Sequence, residues 1–333
     1  MTAAGTVELD GIIVVDKPAG PTSHDVVALI RRLSGVRRVG HGGTLDPFAS
    51  GVLPVFLGHA TRIVEYHLGD DKGYRATVAF GARSTTDDLD GELTPGAGTP
   101  PDRAAVEAAL GAFRGRLAQV PPSHSAVHVA GRRAYELARG GEMPVLAPRD
   151  VTITSLELTA WDDRDPERPT AVLEIACTAG TYVRALARDL GEHLGCGAYL
   201  VALIRTRSGP FDLAAAHPLD SVREALAEAA AERVLLPPDT GLEALPSITM
   251  PPEEMAALAR GQVVRPRGEV AAEVAARAPH VAHGTPWRIV DAAGRLAAIA
   301  RLEGGRLHPE KVFVTAEPAA PAEAAAPVEA AEP

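Results

Sequence analysis

Short apolar runs alternate with turn-forming clusters along this chain, and the spacing of the apolar residues changes from one run to the next. LDGIIVVDKPAG reads as a short buried strand ended by Lys17, Pro18 and Gly20. Ser23 then caps a predicted helix that gathers Val26, Val27, Ile30 and Leu33 on one side and stops at Gly35. HGGTLDPFASGVLP, residues 41–54, predicts a loop, because Gly42, Gly43, Pro47, Gly51 and Pro54 are poor in helix interiors and central strands alike. YRATVAF alternates strictly, so Tyr74, Ala76, Val78 and Phe80 share one strand face while Arg75, Thr77 and Ala79 share the other.

A polar, turn-rich stretch from Gly81 precedes a helix from about Ala104 to Phe113. Gln119 to Asp150 mixes prolines, glycines, histidines and arginines, the composition of an insertion carrying a short helix near Arg133–Arg139. VTITSLELTAW and AVLEIACTAG predict two strands, the second turning at Gly180 into a helix with Val183, Leu186, Leu190 and Leu194 on one face. Tyr182 and Arg184 stand at that strand-to-helix junction, where side chains reach a cleft, although an ordinary first-turn surface arginine would look the same. LPPDTGLEALP, Leu236 to Pro246, reads as a linker to a second domain. That domain is predicted to hold one capped helix ending at Gly261 and a β unit of strand, turn, strand, turn and strand.

Composition fits this two-domain picture: 333 residues, 46% of them apolar, suffice for one large and one small core, and no apolar run approaches a membrane span. The start, MTAAGTVELD, has no secretory pattern and two cysteines make no disulfide framework, which points to a reducing cytoplasm. Cys177, Cys196 and His193 lack a fourth ligand at sensible spacing, so no metal is expected. A net charge of −10, taken alone, speaks against a polyanionic partner. Its distribution alters that reading. The last 18 residues, an Ala/Pro/Glu tail, hold four glutamates and no base, and without them the charge is −6. Basic residues cluster at Arg31, Arg32, Arg37 and Arg38, at Arg132, Arg133 and Arg139, and at Arg184, Arg188, Arg205 and Arg207. Each cluster is either a solvated surface or part of a basic face.

The chemistry centres on Asp46, one carboxylate in a frame of glycines and prolines. Asp in such a loop can be purely structural, bonding nearby amides. The Gly-Lys-Ser/Thr ending of a phosphate loop is absent, and no neighbouring residue supplies the second carboxylate of a glycosidase. A lone nucleophilic carboxylate suits attack at a sugar carbon whose leaving group needs little separate acid.

VVDKPAGPTSHDVV, HGGTLDPFASGVLPVFLG, KGYRATVAFG and GTYVRALARDLGEHLGCG, in this order between Asp10 and Arg207, resemble the bacterial TruB-type tRNA pseudouridine-55 synthases. The resemblance implies an α+β pseudouridine-synthase domain over residues 9–240: a mixed, mainly antiparallel sheet flanked by helices, with an RNA-clamping insertion at about 119–150. It also implies a small β-rich, PUA-like RNA-binding domain at 246–315, between a flexible start (1–8) and a disordered tail (316–333). The implied reaction exchanges the N-glycosidic bond of one tRNA T-loop uridine for a C-glycosidic bond, with the base flipped into a pocket. No cofactor or metal is needed for this internal rearrangement. Asp46 takes the place of the family's catalytic aspartate, Arg184 of the arginine that pairs with it and keeps it charged, and Tyr74 of the tyrosine that stacks on the target ring. His41 matches the histidine filling the space the base leaves, Tyr182 an aromatic at the pocket wall, and Lys17 a lysine under the catalytic loop. Arg132, Arg133 and Arg205 are assigned to RNA phosphates. Whether Asp46 attacks the anomeric carbon, adds to the base or starts proton removal at the sugar is left open by the residues.

Two departures stand out. His124 and His128 replace an aromatic and a lysine usual in the insertion, so RNA affinity is expected to fall between about pH 6 and 8. Ser84 and Thr85 replace the usual threonine and aspartate, a role for which Asp87 or Asp88 could substitute. The alternatives are a non-catalytic RNA-binding or tRNA-folding protein, a guide-RNA-dependent synthase and a sugar-active hydrolase. A monomer acting on the tRNA T-arm, without an obligate protein partner, is expected.

Overall fold

A computed structural model describes residues 9–124, 128–129, 132–133 and 146–313. The chain divides into two units, Met1–Gly241 and Leu242–Pro333.

In the first unit β1 (Gly11–Lys17) leads into α1 (Ser23–Ser34), then β2 (Val39–His41), β3 (Ser50–Leu57), α2 (Val64–Leu68) and β4 (Lys72–Phe80). A hairpin of β5 (Ala82–Ser84) and β6 (Leu93–Pro95) precedes α3 (Arg103–Ala109), β7 (Gly115–Gln119) and the short pair β8 (His128–Val129) and β9 (Arg132–Arg133). Then follow β10 (Arg149–Asp162), β11 (Thr170–Cys177), α4 (Val183–His193), β12 (Ala198–Ser208), β13 (Phe211–Asp212), β14 (His217–Pro218), α5 (Leu219–Ala227) and β15 (Leu235–Leu236). One sheet runs β14-β1-β3-β12-β4-β11-β10-β7, with β2, β13 and β15 paired beside it. Only the β1–β14 and β3–β12 pairs are parallel, so the sheet is mixed and mainly antiparallel.

Apolar alternation decides which face is covered. Ala76, Val78 and Phe80 of β4, Leu173 and Ile175 of β11 and Leu53 and Val55 of β3 share a core with Val26, Val27 and Ile30 of α1 and Val183, Leu186 and Leu190 of α4. Burying each of these valines, isoleucines and leucines contributes about 1.5–3 kcal/mol, so both helices are held mainly by their apolar stripes.

The local chemistry differs from expectation in several places. The cap of α1 is Thr22, which forms a reciprocal capping box with Asp25, and Ser23 is the first helical residue with its hydroxyl turned elsewhere. Gly35 ends the helix at φ 69°. The expected 41–54 loop covers less: Gly51 and Pro54 lie within β3. Pro54 is tolerated because β12 pairs only with Ser50 and Gly51 and β2 only with Val55–Leu57, leaving the edge between them open. The helix expected at Ala104–Phe113 is α3 followed by a 3-10 turn, Leu110–Phe113, and its cap is Asp102. Arg133 begins no helix but pairs in β9; the rest of that expected helix lies outside the described residues.

The second unit contains β16 (Ser247–Thr249), α6 (Pro252–Ala259), α7 (Gly268–Arg277), β17 (Pro286–Val290), β18 (Leu296–Glu303) and β19 (Arg306–Val312), the strands forming one sheet in that order. Trp287, Ile289, Ala298, Leu258 and Val274 pack its core. Pro at the first turn, not a side-chain cap, starts α6, which stops at Ala259 ahead of Gly261. The sequence reading missed α7 and β16: the first is rich in alanine with only two valines to mark a face, and the second is three residues long.

Candidate active site

The loop between β2 and β3 is fastened at almost every residue. The Gly42 amide donates to the Pro54 carbonyl at 2.9 Å, and the Gly20 amide to the Pro47 carbonyl at 2.8 Å. Ser23 Oγ accepts from the Leu45 amide at 2.9 Å and donates to the Leu45 carbonyl at 3.2 Å, which explains why this serine does not cap α1. Leu45 and Ala49 anchor the loop in the core on either side of Asp46.

Two buried cations finish the frame. Lys17 Nζ donates to the carbonyls of Pro18 and Pro21 at 2.9 Å and of Pro47 at 3.3 Å. Burial pushes its pKa down to about 8, against the pull of Asp46, and Arg205 lowers it further. Arg205, only 1% exposed, donates from Nε to the Val52 carbonyl at 2.7 Å, from Nη1 to Thr44 at 3.4 Å and from Nη2 to Gly43 at 3.1 Å. Gly51 stands directly against it at φ 100°, where a β-carbon would lie 2.3 Å from the Arg205 carbonyl oxygen. The expected role of Arg205 as a phosphate contact is therefore corrected: its donors are spent on the loop backbone beneath the surface.

Asp46 meets Arg184 through two contacts, Nε to Oδ2 at 3.0 Å and Nη2 to Oδ1 at 3.3 Å. Arg184 is the second residue of α4 and is buried, so it lies in the first turn but not at the surface. Its remaining donors reach Asp88 Oδ2 at 3.3 Å, the Thr86 carbonyl at 3.2 Å and the His124 carbonyl at 2.9 Å. Burial raises the Asp46 carboxyl above the usual carboxylate range and Asp88 adds to the rise; Arg184 and Lys17 pull it down without cancelling the shift. Arg184 acts on Asp46 in the expected direction, toward the charged form, but burial is the larger effect.

Tyr74 faces the core side of β4 and lies opposite Arg205 in the β4–β12 register, where their side chains interact. Burial raises its phenol, which stays protonated at neutral pH. His41 ends β2; the Gly43 amide donates to its Nδ1 at 3.3 Å, and its ring meets His24 edge-on at 5.5 Å between centroids. Burial, His24 and Arg205 lower its pKa to about 4, so the ring is neutral. Tyr182 is the N-cap residue of α4, and its amide and carbonyl are bracketed by the Gln119 side chain at 2.8 and 3.1 Å.

Arg132 and Arg133 lie in β9, with side chains outside the described residues, as is that of His128. His124 is half-buried, its Nδ1 shielded from solvent. The basic cluster at 184–207 is no open face: Arg184 and Arg205 are buried and Arg188 is paired with Asp87 and Asp189. Arg31, Arg32, Arg37 and Arg38 are exposed. Asp88 holds Arg184 and Asp87 holds Arg188, while Thr85 Oγ1 accepts from the Glu92 amide. Sequence reasoning missed Ser23, Gln119 and Thr86, which act through hydroxyl, amide and carbonyl groups that leave no spacing signature. Among the described residues no group of three His, Cys, Asp or Glu could hold a metal, and no helix is long and apolar enough to cross a membrane.

Comparison with known proteins agrees with this arrangement. A family profile described as TruB family pseudouridylate synthase (N terminal domain) matches residues 31–183, and one described as tRNA pseudouridylate synthase B C-terminal domain matches 184–243. A protein of Nitrobacter winogradskyi named tRNA pseudouridine synthase B is 42% identical over 93% of this chain and 86% of its own length. One of the same name from Parasynechococcus marenigrum is 50% identical over 71% and 78%. Among solved structures, the archaeal box H/ACA sRNP Nop10-Cbf5 complex contains a chain with TM-score 0.66 and 26% identity, covering 93% of this chain and 88% of that one. An H/ACA RNP bound to a substrate RNA containing 2'-deoxyuridine gives TM-score 0.66 and 25% identity over 92% and 86%. With its two-toothed Arg184–Asp46 pair, its mixed sheet and relatives at this identity over most of its length, the chain belongs to the TruB family of pseudouridylate synthases.

Proposed function

We propose that this chain isomerises uridine-55 in the T loop of tRNA to pseudouridine, with Asp46 as nucleophile toward a nucleotide flipped out of the loop. The observation that carries the reading is the paired Asp46 carboxylate, braced by a buried arginine on a loop whose carbonyls are held by two further cations. The rearrangement breaks the bond from the sugar to N1 and forms one to C5; N1 gains a proton and C5 loses one, with no net oxidation. Preorganised donors around a single carboxylate suit such a step, because they cost no reorganisation as charge shifts.

The other residues take roles by position. Tyr74 stacks on the target ring, the neutral His41 ring fills the space the base leaves, Tyr182 lines the pocket wall, and Lys17 and Arg205 keep the loop rigid. Arg31, Arg32, Arg37 and Arg38, with Arg132 and Arg133 of the insertion, meet RNA phosphates. The unit from Leu242 serves as a PUA-like RNA-binding module, and the protein works as a monomer in the cytoplasm.

The sequence likeness favours direct action on tRNA over guide-RNA dependence: relatives named tRNA pseudouridine synthase B reach 42–50% identity, against 25–26% for the two H/ACA structures. A glycosidase would need a free second carboxylate, and Asp88 is buried and bound to Arg184. The test is tritium release from C5-labelled uridine in a T-arm hairpin. Wild-type release, lost in Asp46→Asn with hairpin binding kept, supports the synthase. Binding without release by the wild type overturns it in favour of an RNA-folding protein or a guide-dependent enzyme.

A further inference from the structure

One helical turn beyond Arg184, a second arginine of α4 spends its guanidinium inside the protein. Arg188 donates from Nη1 to Asp87 Oδ2 at 2.9 Å, from Nε to Asp189 Oδ1 at 2.9 Å and from Nη2 to the Val120 carbonyl at 2.8 Å. Nη2 also lies 2.8 Å from Asp189 Oδ1. Two carboxylates offset its charge, so a phosphate approaching it meets a cation already neutralised by this chain.

Its partners belong to the two segments that also hold Arg184. Asp87 is one of two non-glycine residues with positive φ among the described residues, at 63°, and its carbonyl accepts the Leu200 amide at 3.0 Å, which ties this turn to β12. The turn sends consecutive carboxylates to arginines four residues apart: Asp87 to Arg188 and Asp88 to Arg184. The second segment runs from Gln119, bonded to the backbone of Tyr182, through Val120, bonded to Arg188, to His124, whose carbonyl meets Arg184 Nη2. That same Nη2 makes the longer contact to Asp46, at 3.3 Å. Each segment thus touches the arginine that grips Asp46 and the arginine that does not.

We infer that Arg188 is a positioning residue: by clamping Asp87 and the Val120 carbonyl it fixes the oxygens of Asp88, Thr86 and His124 that aim Arg184 at Asp46. The inference deepens the reading of Asp46 as the reacting carboxylate and rests on it. Without the clamp, the acceptors around Arg184 are free to shift, and the fork follows them.

The experiment compares the full-length wild type with Arg188→Met, Arg188→Lys and the Asp87→Asn/Arg188→Met double variant. Four quantities are read: the single-turnover rate at saturating T-arm hairpin, the hairpin Kd, the thermal midpoint, and the Asp46 carboxyl titration by 13C NMR without RNA. Arg188→Met should slow the saturating rate by about tenfold or more, as a displaced catalytic group does, with hairpin Kd unchanged. The Asp46 titration should move upward as the pull of Arg184 slackens. Lysine should restore part of the rate, since one ammonium can reach Asp87 without also spanning to Val120, and the double variant should be no slower than Arg188→Met. A lowered midpoint with unchanged rate and unchanged titration overturns the inference in favour of a purely structural pair. Weaker hairpin binding with an unchanged saturating rate overturns it in favour of an RNA contact. An inactive wild type would sink the synthase reading, and the RNA-free titration would still decide whether Arg188 governs the Asp46–Arg184 pair.

Discussion

Arg205→Met separates a loop strut from a phosphate reader. The wild-type guanidinium bonds three carbonyls, those of Val52, Thr44 and Gly43, and only Val52 is fully buried. Stranding that carbonyl costs about 1–3 kcal/mol, while water can replace the lost donor at the more exposed loop carbonyls at about 0–2 kcal/mol each. Part is returned, because burial pushes the Arg205 pKa down and methionine no longer carries that desolvated charge. A net loss of about 1–3 kcal/mol is expected, small enough for the chain to fold. The loop should nevertheless loosen, and the single-turnover rate at saturating hairpin should fall by about 100-fold, as for a misplacement near 1 Å. The chain has two tryptophans, so urea unfolding in a Trp287→Phe background reports on the first unit through Trp161, which packs beside its core. An unchanged urea midpoint and saturating rate, with weaker hairpin binding and a salt slope reduced by about one, would refute the strut and restore the phosphate contact.

Other predictions follow from the same frame. Raised by burial, Asp46 should place the acid limb of kcat/KM above the ordinary carboxylate range of about 4, and Arg184→Met should lift the Asp46 titration further; a limb at or below that range contradicts the assignment. Lys17, at about 8 folded against 10.5 ordinarily, binds fewer protons folded than unfolded in that window, so the stability of the wild type relative to Lys17→Met should grow as pH rises from 8 to 10.5. A flat difference in urea midpoints across those values rules this out. Gly51→Ala forces a β-carbon onto the Arg205 backbone at φ 100° and should cost more than about 2 kcal/mol in urea unfolding; a near-neutral result would mean β3 and β12 can part cheaply. Ser23→Ala strands both polar groups of Leu45 and should cost about 1–2 kcal/mol with a slower saturating rate, measured by the same two assays.

The sheet strands were legible where apolar period and length agreed, as in YRATVAF and GIIVVDK, and so was the strand-to-helix junction that places Arg184. Asp46 stood out as one carboxylate in a glycine and proline frame, which by itself suits a structural aspartate equally; its candidate role came from the ordered motifs that resemble the family. Gly51 and Pro54 concealed the start of β3, since local propensity argues against a strand that only an incomplete β12 and β2 pairing permits. Ser23 was misread because a hydroxyl at a helix start is the right chemistry for a cap, and Thr22 one residue earlier took the role. Arg205 was misread for a different reason: its arginine neighbours suggested a basic face, whereas strand alternation directs it inward beneath the loop.

That last error bears on the chain's charge. A net charge of −10 opposed an RNA partner, yet the charges that surround Asp46 are arranged independently of the total. Lys17, Arg184 and Arg205 outnumber Asp46 and Asp88 in the site, and each cation is fixed by carbonyl or carboxylate oxygens of this chain. The acidic excess includes four glutamates of the last 18 residues, while Arg31, Arg32, Arg37 and Arg38 stand exposed just ahead of the catalytic loop. Formal charge adds buried and exposed groups alike, and a tail contributes as much as a cleft. What an incoming polyanion meets depends on which cations still have donors to offer. In this protein the arginines nearest Asp46 have committed theirs to holding the site; among the described residues the exposed arginines before β2 form no ion pair with a carboxylate, and Arg31 alone of them gives a nitrogen to the chain, to the Val39 carbonyl at 3.0 Å. On the proposed function affinity and catalysis fall to different cations, so substitutions at Arg32 or Arg37 should change hairpin Kd and its salt dependence with the saturating rate intact, the reverse of the pattern expected at Arg205.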